Sequence, residues 1–239
     1  MVVEMKQATF LQKSAAYAVH LFTASGLVVA FYALLAIERE DYRAAMLLLI
    51  VTLVIDGIDG TFARLARVRE VLPEMDGKYI DYVIDFFTYA ILPAYFFYKG
   101  IDVPETWRMP LVALILLVSA IYYGRTNMSD GTHFIGFPVL WNMVVFYLYF
   151  VLDAGAWWNV VIVVTCAVLH FVPILFAYPS RKGRYFWPTL INTLIFIAML
   201  VTITWIYPDE FTWMKWLMHL SVIYYIGHAT VETWMRDRR

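Results

Sequence analysis

Four aspartates, Asp56, Asp59, Asp81 and Asp85, interrupt stretches that are otherwise apolar enough to enter a membrane. The first pair is three residues apart in VIDGIDGTFARLAR and the second four apart in GKYIDYVIDFFTY. Ionised groups at membrane depth are costly, so they persist where they line a wet cavity, pair, or bind an ion. Carboxylates gathered in one place repel one another, and hard divalent cations relieve that repulsion through oxygen ligation. The chemistry this suggests is that of a metal-dependent enzyme inside a helical membrane protein.

The elements that must position these acids are two helices. At about 100° per residue, with Asp56 as zero, Asp59 falls at about −60°, Gly60 at about 40°, Ala63 at about −20° and Arg67 at about 20°. Two acids and two small residues therefore share one face, leaving room for a flat ligand against the backbone. Arg64 projects roughly 80° from Asp56, on the flank, where it suits a phosphate or one of the acids. On the next helix Gly77, Asp81 and Asp85 climb one stripe at i, i+4 and i+8. Pro73 and Glu74 read as the break before that helix, and Asp76 and Lys78 as its capping and anchoring residues. Gly57 reads as a packing glycine. Two neighbouring antiparallel helices would place all four carboxylates around a common pocket.

The rest of the chain fits this picture. It is 62% hydrophobic and 15% charged over 239 residues, with mean hydropathy +0.68, whereas soluble domains are about a quarter charged. The fold class is all-α and polytopic, in a single domain spanning 1–239. Eight spans are expected, at 15–37, 44–66, 79–98, 109–124, 134–152, 157–178, 186–206 and 216–235, each near the ~20 residues a bilayer needs. Residues 1–14 suit an interfacial amphipathic helix. The first span is too long for a signal peptide and is expected to be retained. The single cysteine, Cys166, excludes an intrachain disulfide and a cysteine-based zinc site; it reads as a small packing residue.

Eight spans put both termini on one side. That side carries thirteen of the eighteen Lys and Arg residues, among them Lys6, Lys13, Arg64, Lys78, Lys182 and Arg239. The other side has only Arg39, Arg43, Lys99, Arg108 and Lys215. The positive-inside bias makes the termini cytoplasmic. The same topology places all four aspartates near the cytoplasmic face, where nucleotides are available.

DGIDGTFAR followed by GKYIDYVID resembles the signature of the CDP-alcohol phosphotransferase family, D-x2-D-G-x2-A-R-x8-G-x3-D-x3-D. Every fixed position is present, at Asp56, Asp59, Gly60, Ala63, Arg64, Gly77, Asp81 and Asp85, although twelve residues rather than eight separate Arg64 from Gly77. The longer gap, the span count and the length look like the bacterial phosphatidylcholine synthase branch, as do GRTNMSDGTHFIGFPVLWN and FVPILFAYPSRKGRYFWPTLIN. The resemblance implies transfer of the phosphatidyl group of CDP-diacylglycerol to choline, with release of CMP and no covalent enzyme intermediate. It further implies one or two Mg²⁺ or Mn²⁺ ions on Asp56, Asp59 and Asp81, with Asp85 sharing a metal or acting as catalytic base. Gly60, Ala63, Arg64 and Gly77 would contact the CDP moiety. A homodimer in the bacterial inner membrane among membrane lipids is implied, and no nucleic-acid partner is expected.

The acceptor pocket is harder to read. Choline's fixed positive charge suits aromatic faces, and Tyr122, Tyr123, Trp141 and Tyr178 lie near cytoplasmic span ends, although most aromatics here are packing or belt residues. Arg125, Asn127, Ser129, Asp130 and His133 gather donors and acceptors beside the same face, and Asn142 is an amide in need of a partner. They read either as a pocket wall or as a solvated loop with an interhelical bond. His20 reads as a hydrogen-bonded helix contact. Arg181, Lys182 and Arg184 form a basic loop suited to anionic headgroups or to a phosphorylated acceptor. Two alternatives stay open: the same chemistry on serine, inositol or a glycerol phosphate, and a cation transporter whose carboxylates line a path. A transporter would spread its acids through membrane depth and has no need of the G-x2-A-R tail.

Overall fold

The computed structural model describes residues 8–179, 181, 183–209, 211–236 and 238. Residues 1–7 of the interfacial segment, with Lys6, Lys182 and Arg239 of the charge tally, lie outside the described residues. The described chain is mostly helical: α1 (Phe10–Glu38), α2 (Tyr42–Leu65), α3 (Val68–Val71), α4 (Gly77–Asp85), a π-helical turn (Phe86–Ile91), α5 (Leu92–Gly100), α6 (Glu105–Tyr123), α7 (Trp141–Phe146) with a π continuation (Tyr147–Val151), α8 (Ala156–Leu169), α9 (Phe186–Ile206) and α10 (Thr212–Arg236). Two short strands, β1 (His133–Ile135) and β2 (Leu175–Ala177), pair antiparallel, with Phe134 opposite Phe176.

Five helices are long and apolar enough to cross a membrane: α1, α2, the continuous rod Gly77–Gly100, α6 and α9. The apolar helices Trp141–Val151 and Ala156–Leu169 are shorter, and α10 is long but carries Lys215, His219, His228, Glu232 and Arg236. Large apolar side chains such as Leu21, Val28, Phe31, Val54, Leu194 and Trp205 stand exposed on the outer faces. Such a surface is costly in water and suits acyl chains. The chain is an integral membrane protein.

Three expectations need correction. The stretches expected to be spans at 134–152 and 157–178 are helical only at 141–151 and 156–169. Their outer parts form the β1–β2 ribbon instead, because Gly136, Pro138 and Pro173 break helical hydrogen bonding there. Gly136 is required: its φ is +83°, and a Cβ there would lie 2.2 Å from the His170 carbonyl oxygen. Finally, α2 stops at Leu65, and Arg67 turns into the left-handed region with φ +50°. Arg67 therefore does not share the face of Asp56.

The main apolar core joins α1, α2, α5, α6, α7 and α8 around Phe96, Phe97, Trp141 and Phe146. The buried stripe of α1, Ala16, His20, Thr23, Gly26, Ala30 and Ala33, recurs at three- and four-residue steps. The small side chains of this stripe, Ala16, Gly26, Ala30 and Ala33, let α1 lie close along α2 and also against α4. Gly26 is the closest point: a Cβ there would meet Ile84 Cγ2 at 3.4 Å and Ile55 Cγ2 at 3.8 Å. Those isoleucines immediately precede Asp85 and Asp56, so α1 sets the separation of the two acidic helices.

Candidate active site

Asp56 from α2 and Asp81 and Asp85 from α4 each offer a carboxylate oxygen, and these atoms all lie within 4.8 Å of one another. The i, i+4 spacing on α4 and the facing position on α2 produce this cluster, as the helical period requires. Asp59, one turn along α2, is buried beside Thr23 of α1 and stands outside that three-residue set. None of the three, nor Asp59, forms an ion pair with a described lysine or arginine.

One partner of the cluster has no counterpart in the sequence pattern. The buried Tyr89 hydroxyl donates to Asp56 Oδ2 at 2.8 Å. Tyr89 lies in the π-helical turn that begins immediately after Asp85. Within that turn the Thr88 hydroxyl donates to the Ile84 carbonyl at 3.0 Å. Such turns alter the side-chain register of a helix and are frequent at functional sites. Asp85 Oδ1 is buried and has no hydrogen-bond partner among the described residues. An all-oxygen donor set, uncompensated by basic side chains and with a buried oxygen left unpaired, fits a hard divalent cation.

The glycines and the arginine frame the acids differently from one another. A Cβ at Gly60 would meet only Arg64 Nη1, at 3.5 Å, and at Gly57 it would meet nothing within 4 Å. Gly57 is therefore open surface and not the packing glycine expected. Ala63 is half-buried against the small cluster of Ala16, Val68, Val71 and Leu72. Arg64 is exposed, and its Nη2 donates to Thr61 Oγ1 at 2.9 Å, on its own helix, rather than to an acid. Gly77 opens α4 beneath the His20 ring, where a Cβ would lie 3.0 Å from Cε1. The His20 Nε2 is buried with no partner among the described residues, in contrast to the hydrogen-bonded contact expected of it. Asp76 caps α4 as anticipated, accepting from the Lys78 N–H at 3.0 Å.

The residues singled out for an acceptor separate into two groups. Tyr123 is near the acids: its ring meets Tyr82 at 5.9 Å and Phe86 at 6.0 Å, edge to face, and these follow Asp81 and Asp85 in sequence. The others are occupied elsewhere. Trp141 is fully buried, donates from Nε1 to Ser119 Oγ at 2.8 Å and stacks on His170. The Tyr122 hydroxyl donates to the carbonyls of Met128 and Ile135 at 3.3 and 3.2 Å. Asn127 accepts from Arg125 on an exposed loop. The Asn142 side-chain oxygen accepts from the Met143 N–H at 2.9 Å, while its buried Nδ2 has no described partner. Tyr178 stacks on Phe134 at 4.4 Å across the ribbon. Tyr82 and Phe86, which were not singled out, join Tyr123; their signal was their position one residue after each acid.

No family model matches the chain. Curated relatives do. A protein of Mesorhizobium japonicum named phosphatidylcholine synthase is 42% identical over 184 residues, covering 77% of this chain and 68% of its own length. One of Pseudomonas aeruginosa with the same name is 40% identical, covering 74% of each. One of Borreliella burgdorferi, again of that name, is 34% identical over 219 residues, 91% of this chain and 92% of its own. With identity at this level across most of both chains, the protein belongs to the phosphatidylcholine synthase family.

Proposed function

We propose that the protein makes phosphatidylcholine by transferring the phosphatidyl group of CDP-diacylglycerol to choline, releasing CMP, as a member of the CDP-alcohol phosphotransferase group. The observation that carries this reading is the similarity to phosphatidylcholine synthases over as much as 91% of the chain. The clustered carboxylates of Asp56, Asp81 and Asp85 support it from chemistry.

Asp56, Asp81 and Asp85, with Asp59 beside them, would hold one or two Mg²⁺ or Mn²⁺ ions. When bound, such an ion neutralises the diphosphate and stabilises charge on departing CMP. Tyr89 fixes the rotamer of Asp56 through its hydroxyl, so the carboxylate is oriented before substrate arrives. Gly60, Ala63, Arg64 and Gly77 would take the nucleotide, with the open surface at Gly57 and Gly60 giving it access to the backbone. Arg64 is exposed and can swing from Thr61 to a phosphate oxygen. Asp85 Oδ1 is the candidate base: it accepts no hydrogen bond from a described residue and can take the hydroxyl proton of choline. The choline oxygen attacks the phosphatidyl phosphorus in line, and the phosphorus–oxygen bond to CMP breaks. The rings of Tyr123, Tyr82 and Phe86, gathered beside the acids, would receive the trimethylammonium group.

The eight-span arrangement, cytoplasmic termini, inner-membrane location and homodimer belong to the same proposal, supported by loop charge and by resemblance. Purified protein supplied with CDP-diacylglycerol, labelled choline and Mn²⁺ should yield labelled phosphatidylcholine and one CMP per product. A marked preference for serine, inositol or glycerol phosphate over choline would refute the acceptor assignment.

A further inference from the structure

Away from the aspartates, β1 meets α10 at a second cluster of metal-ligating side chains. His133, His228 and Glu232 each offer one ligand atom, and all three atoms lie within 4.8 Å of one another. His228 and Glu232 are one turn apart on α10 and so share a face. His133 comes from the ribbon 95 positions earlier in the chain.

The cluster has the internal order of a ligand set. The Nδ1 of His133 is engaged by the Thr132 hydroxyl at 3.0 Å, with Asp130 Oδ2 at 3.7 Å, which leaves Nε2 facing Glu232. Asp130 is itself held by the N–H groups of Thr132 and His133. An imidazole fixed on one nitrogen by a polar partner, with the other nitrogen left to ligate, is the arrangement found around bound metal ions. His228 Nδ1 is buried and has no described partner. The Glu232 side chain is 14% exposed, and His133 Nε2 lies 3.9 Å from its Oε2. That gap is too long for a hydrogen bond. The ligand atoms lie within 4.8 Å of one another; around a tetrahedral ion with bonds of ~2.1 Å they would lie about 3.4 Å apart, so no pair need close by more than about 1.4 Å.

We propose that His133, His228 and Glu232 form a second metal site, for a borderline divalent ion of the Zn²⁺ class. Two imidazoles and one carboxylate select such ions over Mg²⁺, which prefers oxygen alone. Three protein ligands leave a fourth position, open to the cavity that Arg181 and Arg184 line, where water or an oxyanion completes the shell. The bound ion ties the ribbon to α10, to which β2 is already joined by the Leu175 N–H donating to Thr233 Oγ1 at 2.9 Å. This site goes beyond the transferase reading, and its failure would leave that reading untouched.

The test uses full-length, detergent-solubilised protein without a polyhistidine tag, in excess Mg²⁺ to occupy the aspartates. Zn²⁺ content is measured by elemental mass spectrometry, and Co²⁺ serves as a spectroscopic probe. The expected result is one equivalent of Zn²⁺ per chain and a four-coordinate Co²⁺ spectrum with nitrogen ligation. His228→Ala or Glu232→Gln should weaken affinity by more than 100-fold, and Thr132→Val by about tenfold. No stoichiometric ion in the wild type, Co²⁺ lacking nitrogen ligands, or wild-type affinity in His228→Ala would each overturn the proposal. The wild-type measurements decide the matter even if a variant fails to fold.

Discussion

The Tyr89 hydroxyl donates to Asp56 Oδ2 at 2.8 Å, joining the π-helical turn after α4 to the acidic face of α2. Hydrogen bonds to charged groups contribute about 1.5–3 kcal/mol, and partners that orient a ligand typically govern metal affinity by 10–100-fold. Tyr89→Phe keeps the ring that packs in the core. It should raise the Mn²⁺ concentration needed for half-maximal CMP release by 10-fold or more, with saturating metal restoring much of the rate. An unchanged metal dependence would show that Tyr89 is only a packing residue.

Gly26 sits between Ile55 and Ile84, whose successors in sequence are Asp56 and Asp85. Gly26→Ala should be tolerated, since its Cβ would make ordinary contact at 3.4 Å. Gly26→Leu should push α2 and α4 apart and lower CMP release by about 100-fold, the order expected of a ~1 Å displacement at a reacting centre. Equal activity in the two variants, both inserted and folded, would contradict the role given to α1.

Tyr123 and Trp141 both suggested a choline cage, yet they should behave differently. Tyr123→Leu should raise the KM for choline about tenfold, equivalent to ~1.4 kcal/mol of cation–π contact, and leave thermal stability within a few degrees. Trp141→Phe should do the reverse. It leaves Ser119 Oγ without its indole donor and removes buried volume, costing about 1–3 kcal/mol of stability at unaltered choline KM. The two measurements, initial rates against choline and a melting curve, separate the assignments.

In the proposed nucleotide site, Gly60 would offer backbone rather than side chain. Gly60→Leu should weaken binding of CDP-diacylglycerol by an order of magnitude or more while the protein stays folded, because only Arg64 Nη1 lies near the new Cβ. Binding at wild-type strength in a well-expressed variant would remove Gly60 from the nucleotide site.

The acids were legible in the sequence because helical period alone puts Asp81 and Asp85 on one stripe, and the structure brings Asp56 to them. Asp59 shared the predicted face, but α1 shelters it beside Thr23, a contact no local pattern announces. Arg67 was misplaced because a helix end in the left-handed region leaves little trace in hydropathy. The spans of the middle region were drawn too long for a similar reason: the residues of β1 and β2 are as apolar as a helix, and only their pairing distinguishes them. Tyr89 and the cluster of His133, His228 and Glu232 were out of reach, the first because a π turn shifts side-chain register. The second depends on a contact between segments far apart in sequence.

The most direct measurement is CMP release from CDP-diacylglycerol and labelled choline by wild type and Asp81→Asn, each in chelator and in saturating Mn²⁺. Helices α2 and α4 holding carboxylates jointly around a cation predict release by the wild type only with Mn²⁺. They also predict a loss of at least 1,000-fold in Asp81→Asn, on the order of the larger electrostatic contributions to catalysis. Full activity in chelator, or wild-type rates in Asp81→Asn, would contradict it.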